Sequence, residues 1–101
     1  MIPKFKVMPF DGETADIMIG DVEIGYIEKI LGEHFKNATS YARVPSVDGY
    51  AVTLWETKYV AGADEDLLVQ TDFKTRAECT AHVRKVLKLA AEIAAANNVT
   101  I

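Results

Sequence analysis

Hydrophobic and polar residues alternate with two different periods along this chain, and the change of period separates a sheet-forming part from a helix-forming part. Residues 4–8 alternate at period two, which is typical of a short strand. Residues 15–19 and 22–29 are two further strand-like runs, and Gly20 and Asp21 between them favour a tight turn. We therefore predict a short first strand followed by a β-hairpin.

The segment that follows Asp21 also fits a helix. Asp21 is an acceptable N-cap, and apolar residues recur after it at helical spacing, namely Ile24, Ile27, Leu31 and Phe35. Gly25 disfavours the helix, because an interior glycine costs a helix about 1 kcal/mol relative to alanine. We favour a strand to about Lys29, and the choice between strand and helix stays open for the rest of residues 21–35.

Residues 39–44 and 50–57 are rich in β-branched and aromatic side chains. Pro45, Asp48 and Gly49 lie between these two segments and supply turn chemistry. The pattern predicts a second hairpin.

Residues 58–66 are less regular and contain three consecutive acidic side chains, Asp64, Glu65 and Asp66. We predict that this stretch is an exposed loop. Residues 67–73 return to a strand-like pattern.

Residues 75–98 carry the signals of one amphipathic helix. Thr75 and Glu78 form a Thr-x-x-Glu capping box, and Asn97 and Asn98 favour a C-cap. The apolar stripe recurs at three- and four-residue steps and consists of Cys79, Val83, Val86, Leu87, Ala90, Ile93 and Ala94. The whole pattern predicts a single α+β domain over residues 1–101, with an antiparallel meander sheet of five or six strands packed against one long C-terminal helix.

Charge is unevenly distributed along the chain. The net charge is −4, with 13 acidic and 6 basic residues up to Asp72 and 2 acidic and 5 basic residues after it. A mildly acidic chain does not indicate a general binder of nucleic acid or anionic membranes. A single cysteine, no secretory signal pattern and no run of about 18 apolar residues favour a soluble, cytoplasmic protein without a membrane segment.

Catalytic and metal-binding patterns are weak. His34 and His82 lack the ligand spacing of a zinc site, and Glu78 with His82 fits an ordinary side-chain pair four residues apart better than a general base. Cys79 could be activated by the helix dipole, but its place on the apolar stripe favours a buried hydrophobic role. The sequence also lacks a Gly-rich phosphate loop, so we predict no enzyme activity and no cofactor or metal.

The aromatic residues of the predicted strands allow two interpretations. Tyr26, Tyr41, Tyr50 and Trp55 would suggest stacking of RNA bases if they shared an exposed sheet face. Aromatic side chains are more often part of a core, and we favour that interpretation.

Charged side chains give the candidate binding residues. Asp64, Glu65 and Asp66 would suit a basic protein partner, which is the leading hypothesis. The basic side of the last helix would suit nucleic acid as the alternative, through Arg84, Lys85 and Lys88. The alanine-rich end of the same helix would also allow a homodimer.

A short sequence pattern adds a resemblance. Residues 24–28, residues 50–55 and the segment Phe73-Lys-Thr-Arg-Ala-Glu together resemble small phage, prophage and bacterial proteins in which a strand meander ends in an F-x-T-R/K-x-E helix cap. Residues 41–89 are similar in layout to the arm-type DNA-binding domain of tyrosine integrases. The resemblance implies a sheet followed by a helix, and a role as a phage-type inhibitor or accessory protein. The acidic sheet departs from the basic arm-type domains, so no DNA-contacting residue is assigned from them.

Overall fold

The computed structural model describes residues 2–31 and 47–96, which form five strands and two helices. In chain order these are β1 (Lys6–Val7), β2 (Thr14–Ile19), β3 (Val22–Leu31), β4 (Val47–Leu54), α1 (Glu65–Leu68), β5 (Val69–Phe73) and α2 (Arg76–Ala96). The strands form one antiparallel sheet in the order β1-β2-β3-β4-β5, so each strand lies beside its neighbour in sequence. The predicted α+β meander with a long C-terminal helix is confirmed.

The first hairpin forms where the sequence pattern predicts it. β2 and β3 pair from Thr14 with Glu28 to Ile19 with Val22. The strand interpretation to about Lys29 is confirmed and the helix interpretation is wrong there, and β3 continues through residues 30 and 31, for which the choice stayed open, to end at Leu31. Residues 32–35, for which the choice also stayed open, lie outside the described part of the chain.

The turn predicted at Asp48 and Gly49 is wrong, because β4 already begins at Val47. Gly49 pairs with Ile30 of β3, and a Cβ atom at Gly49 would overlap the carbonyl oxygen of Phe73 on β5. Glycine is needed there for close approach of two strands, and glycine in a strand commonly has this role. β4 ends at Leu54, and the predicted partner strand at residues 39–44 lies outside the described residues.

The loop predicted over residues 58–66 is confirmed as a segment without helix or strand up to Asp64 and is wrong for Glu65 and Asp66, which begin the short helix α1. The carbonyl oxygen of Asp64 accepts hydrogen bonds from the N–H groups of Leu67 (2.9 Å) and Leu68 (3.1 Å). Glu65 and Asp66 occupy the first turn of α1, where negative charge is stabilised by the helix dipole. Leu68 is buried, so α1 anchors the start of β5, which begins at Val69 and not at residue 67 as predicted.

The predicted capping box opens α2. The N–H of Glu78 donates to Oγ1 of Thr75 (3.2 Å), and the Glu78 carboxylate accepts from the N–H of Lys74 (2.9 Å). The carboxylate thus reaches one residue further back than a standard capping box requires. The predicted C-cap at Asn97 and Asn98 lies outside the described residues.

The core lies between α2 and one face of the sheet, which we call the core face. α2 contributes six buried side chains, Cys79, His82, Val83, Val86, Leu87 and Ala90. The core face contributes Ala15, Ile17, Ile19, Ile24, Ile27, Val52 and Leu54, and Val60, Ala63 and Leu68 close one side. Each large apolar side chain buried here contributes about 1.5–3 kcal/mol, so this layer supplies the main driving force for folding.

Candidate docking surface

The opposite face of the sheet, which we call the outer face, carries the side chains that alternate with the core. Cross-strand partners point to the same face, and one row of partners joins Asp16, Tyr26, Thr53 and Val69 across four strands. Glu23 and Glu28 lie on the same face because they pair with Met18 and Thr14 of β2. Within the described residues, α2 packs on the core face of the sheet, so it does not cover the outer face.

An aromatic pair lies at the centre of the outer face. The rings of Tyr26 and Trp55 have centroids 5.8 Å apart at an interplanar angle of 49°. The N–H of Trp55 donates to the carbonyl oxygen of Ile24 (2.9 Å), which fixes the backbone of Trp55 just beyond the end of β4. Trp55 is 41% exposed and Val69 is 56% exposed, so the outer face presents large apolar side chains to solvent. The interpretation of Trp55 as a core residue is therefore wrong.

Three carboxylates surround this pair. Asp16 lies directly opposite Tyr26, and Glu23 and Glu28 lie on the same strand as Tyr26. A side-chain hydrogen bond with Asp16 raises the pKa of Glu23, and the negative charge of Asp16 acts in the same direction. The two carboxyl groups are thus close enough to compete for one proton. Lys6 of β1 pairs with Met18 and places one positive charge at the far edge of this face.

The predicted acidic residues lie at the opposite edge of the sheet from Lys6. Asp64, Glu65 and Asp66 are exposed at the start of α1. α1 runs directly into Val69, the residue of β5 that ends the row across the outer face. Negative charge therefore lies near both ends of that row.

The predicted basic residues line two different depressions beside α2. Arg84, Lys85 and Lys88 are all exposed on α2, but Arg84 and Lys88 line a groove of about 460 Å³ that excludes Lys85. The remaining lining residues of this groove, which we call the α2 groove, are Ile2, Ala91, Glu92 and Ala95. The Arg84 guanidinium lies over the ring of Phe5, with Cζ 5.6 Å from the ring centroid. The N-terminal segment, residues 2–5, thus forms one wall of the groove.

Lys85 lines a different depression, of about 350 Å³, between α2 and β5. Its neighbours there are Gln70, Phe73, Glu78, Ala81 and His82. A helix turns by about 100° per residue, so Lys85 lies about 100° around α2 from Arg84, and Lys88 lies between the two on the exposed side of the helix.

The residues considered as catalytic candidates are buried in the core or hydrogen-bonded to the backbone. His82 is 6% exposed, and its Nε2 lies 2.8 Å from the carbonyl oxygen of Leu67. Burial lowers the pKa of His82, and the positive charge of Lys85 lowers it further. Burial raises the pKa of the Cys79 thiol to about 11, which disfavours the reactive thiolate. Glu78 bonds to the backbone of Lys74 instead of forming the predicted pair with His82.

Sequence reasoning missed two groups of side chains. One is the outer-face set of Asp16, Glu23 and Glu28, whose signal was the period-two alternation of residues 14–28. The other surrounds Phe10, whose ring has Lys29 Nζ at 4.9 Å and Arg76 Cζ at 4.5 Å from its centroid. These two cations cover an aromatic end of the core, and no sequence pattern places Phe10 beside them.

Within residues 2–31 and 47–96, no group of three or more His, Cys, Asp or Glu side chains could hold a metal ion. In the same part of the chain, neither helix has the combination of length and apolar character that crossing a membrane requires. His34 and Tyr41 lie outside these residues.

Comparison of this chain with known protein families, with curated proteins and with solved structures finds no significant match. The proposed function therefore rests on the geometry of the outer face.

Proposed function

We propose that this chain is a non-enzymatic protein-binding module that docks a basic partner on the outer face of its sheet. The observation that carries the proposal is the pair of half-buried Tyr26 and exposed Trp55, set among carboxylates on a face that α2 does not cover. Aromatic side chains in the centre of a docking surface commonly supply most of the binding energy. A role as a phage-type inhibitor or accessory protein, which the helix-cap resemblance implies, belongs to this proposal.

The charges of the outer face define the partner. Asp16, Glu23 and Glu28 lie on the two strands beside the aromatic pair, whereas the cation Lys6 lies at the edge of the sheet. A basic surface would neutralise the three carboxylates, and it would be attracted at a distance before contact. Two outer faces brought together would instead place like charges against each other, so a symmetric dimer through this face is disfavoured.

Trp55 is the only tryptophan of the chain, so its fluorescence reports directly on the outer face. The probe is a synthetic peptide that combines arginine, lysine and leucine, and the matched control has glutamate in place of each cation. We expect the basic peptide to change the Trp55 emission with saturation and to lose affinity as salt is added, because exposed ion pairs are screened. The acidic peptide should leave the emission unchanged.

Variants locate the binding site. The triple variant Asp16→Asn, Glu23→Gln and Glu28→Gln should bind the basic peptide at least about tenfold more weakly, because charge pairing is lost while the shape is kept. Glu92→Gln removes one carboxylate from α2 and serves as the control, with unchanged affinity expected. Equal binding of the two peptides, or equal affinity of the triple variant and the wild type, would contradict the proposal.

The alternative function is nucleic-acid binding through the basic face of α2. It has less support, because the chain as a whole carries a net charge of −4 and Glu92 offsets part of the positive charge beside Arg84 and Lys88. Its test is retention on immobilised nucleic acid over a range of salt concentrations. Retention of the wild type that disappears with Arg84→Glu, Lys85→Glu and Lys88→Glu together would favour this alternative over the outer face.

A further inference from the structure

The outer face and the α2 groove are complementary in charge, and one exposes an aromatic side chain while the other is a depression. The outer face includes Trp55, which is 41% exposed, beside the three outer-face carboxylates. The α2 groove is a depression of about 460 Å³, which lies within the usual range of about 300–1,000 Å³ for pockets that take a small ligand. The groove therefore has room for an indole ring.

The lining of the α2 groove suits an acidic surface with an apolar projection. Ala91 and Ala95 form an apolar floor beside Ile2, and small side chains allow a partner to approach the helix closely. Arg84 and Lys88 supply two positive charges one helical turn apart, and the single carboxylate of Glu92 offsets part of this charge. The groove thus has a positive rim and an apolar floor.

We propose that the outer face of one copy of this chain docks into the α2 groove of a second copy. Trp55 of the first copy enters the groove, and the outer-face carboxylates meet Arg84 and Lys88 of the second. The inference rests on the proposed function, because it names the basic partner of the outer face as a second copy of this chain. It is carried by complementary charge and by the match between an exposed aromatic side chain and an apolar groove.

The geometry of the two surfaces determines the type of assembly. The outer face lies on one side of the sheet and α2 packs on the other, so the pair retains one free outer face and one free α2 groove after the first contact. Such a head-to-tail interface does not close with two-fold symmetry, and it produces a ring or an open chain of copies. Association should therefore continue beyond a dimer as the protein concentration rises.

The first experiment measures molecular mass by light scattering against protein concentration. At low salt, we expect the mass of the wild type to rise with concentration and to fall towards the monomer at about 0.5 M salt, where charges are strongly screened. Trp55→Ala removes the projection, and Lys88→Glu with Ala95→Glu reverses a charge and fills the groove. Each variant should associate at least about tenfold more weakly than the wild type.

The matched control places the same substitutions on α2 outside the groove. Lys85→Glu with Ala81→Glu also changes one lysine and one alanine to glutamate on α2, at exposed positions outside the α2 groove. This control should associate like the wild type. Equal weakening of the control and the groove variant would overturn the inference, because the net charge alone would then explain both.

Mixing the two defective variants gives the decisive result. Trp55→Ala retains a working groove, and the groove variant retains a working outer face, so an equimolar mixture should form a one-to-one dimer and nothing larger. A mixture that stays monomeric, or a wild type that stays monomeric at millimolar concentration in low salt, would overturn the inference. Because the groove variant keeps the outer face, its Trp55 response to the basic peptide tests the proposed function independently of self-association.

Discussion

Gly25 shows how one residue without a side chain determines the packing of two strands. It pairs with Ile17 of β2 and with Leu54 of β4, and a Cβ atom at Gly25 would overlap the carbonyl oxygen of Thr53 and the backbone of Leu54. The glycine that disfavours a helix in the sequence is thus required by the close approach of β3 and β4.

We predict that Gly25→Ala lowers the free energy of unfolding by about 3 kcal/mol or more, because the added methyl group displaces backbone rather than a flexible side chain. Gly12→Ala is the control, since nothing lies within 4 Å of its Cβ position and only the positive φ of 68° opposes the substitution. This control should cost about 1–2 kcal/mol. Urea unfolding measures both values, and a Gly25→Ala variant as stable as the wild type would refute the predicted overlap.

His82 should make stability depend on pH. Burial lowers its pKa in the folded state, so the unfolded chain binds a proton more readily, and folding is opposed once this proton binds. The stability contribution of neutral His82 is complete above the unfolded pKa of about 6.5 and is lost as the pH falls towards the folded value.

The comparison protein is His82→Gln, which cannot titrate in this range. Between about pH 7.5 and pH 5.5, the urea midpoint of the wild type should fall further than that of His82→Gln. Glu78 and Lys85 flank His82 on α2 and remain in both proteins, as does His34, so the difference isolates His82. Parallel pH profiles of the two proteins would contradict the lowered pKa.

At the scale of elements, the start of α2 depends on one hydroxyl group. Thr75 accepts a hydrogen bond from the N–H of Glu78 through Oγ1, and Thr75→Ala should cost about 0.5–2 kcal/mol by leaving this N–H without its cap. Thr80 provides the matched control, because its hydroxyl donates to the carbonyl oxygen of Arg76 within the helix and satisfies no N–H group. Thr80→Ala should leave the stability nearly unchanged. Thermal unfolding of both variants compares them, and a smaller effect at Thr75 than at Thr80 would contradict the cap.

Elements were predictable from sequence where the signal was local. The capping box and the apolar stripe of α2 depend on residues within a few positions of each other, and both are confirmed. α1 was not predictable in this way, because four residues carry too little periodicity and the burial of Leu68 depends on distant parts of the chain. The position of Gly49 in β4 likewise depends on the approach of β5, which residues near Gly49 do not encode.

At the scale of the whole molecule, the candidate site could be predicted only in part. The charge contrast between the sheet and α2 was visible in the sequence. That Arg84 and Lys88 line one depression and Lys85 another could not be predicted, because the first depression depends on where Ile2 lies against α2. The outer face could not be predicted without the strand register. Tyr26 and Trp55 are far apart in sequence and meet only through the pairing of β3 with β4.

The acidic residues of α1 extend the negative surface to the β5 edge of the molecule. Asp64, Glu65 and Asp66 are exposed, and the helix to which they belong ends beside Val69 of the outer face. We predict that replacing all three with lysine weakens binding of the basic peptide to the outer face about threefold to tenfold. The long-range attraction is lost while the aromatic contacts remain. The effect should shrink at about 0.5 M salt, where the screening length is only a few ångströms.

The control for this triple variant is the reverse substitution on α2. Lys85→Glu makes the chain more acidic outside the α2 groove, so a purely net-charge effect predicts tighter binding of the basic peptide, whereas local pairing at the outer face predicts little change. Far-ultraviolet circular dichroism and urea unfolding should show that both variants remain folded, because all four side chains are exposed. Full affinity in the Asp64, Glu65 and Asp66 variant at low salt would restrict the acidic docking surface to Asp16, Glu23 and Glu28 and remove α1 from it.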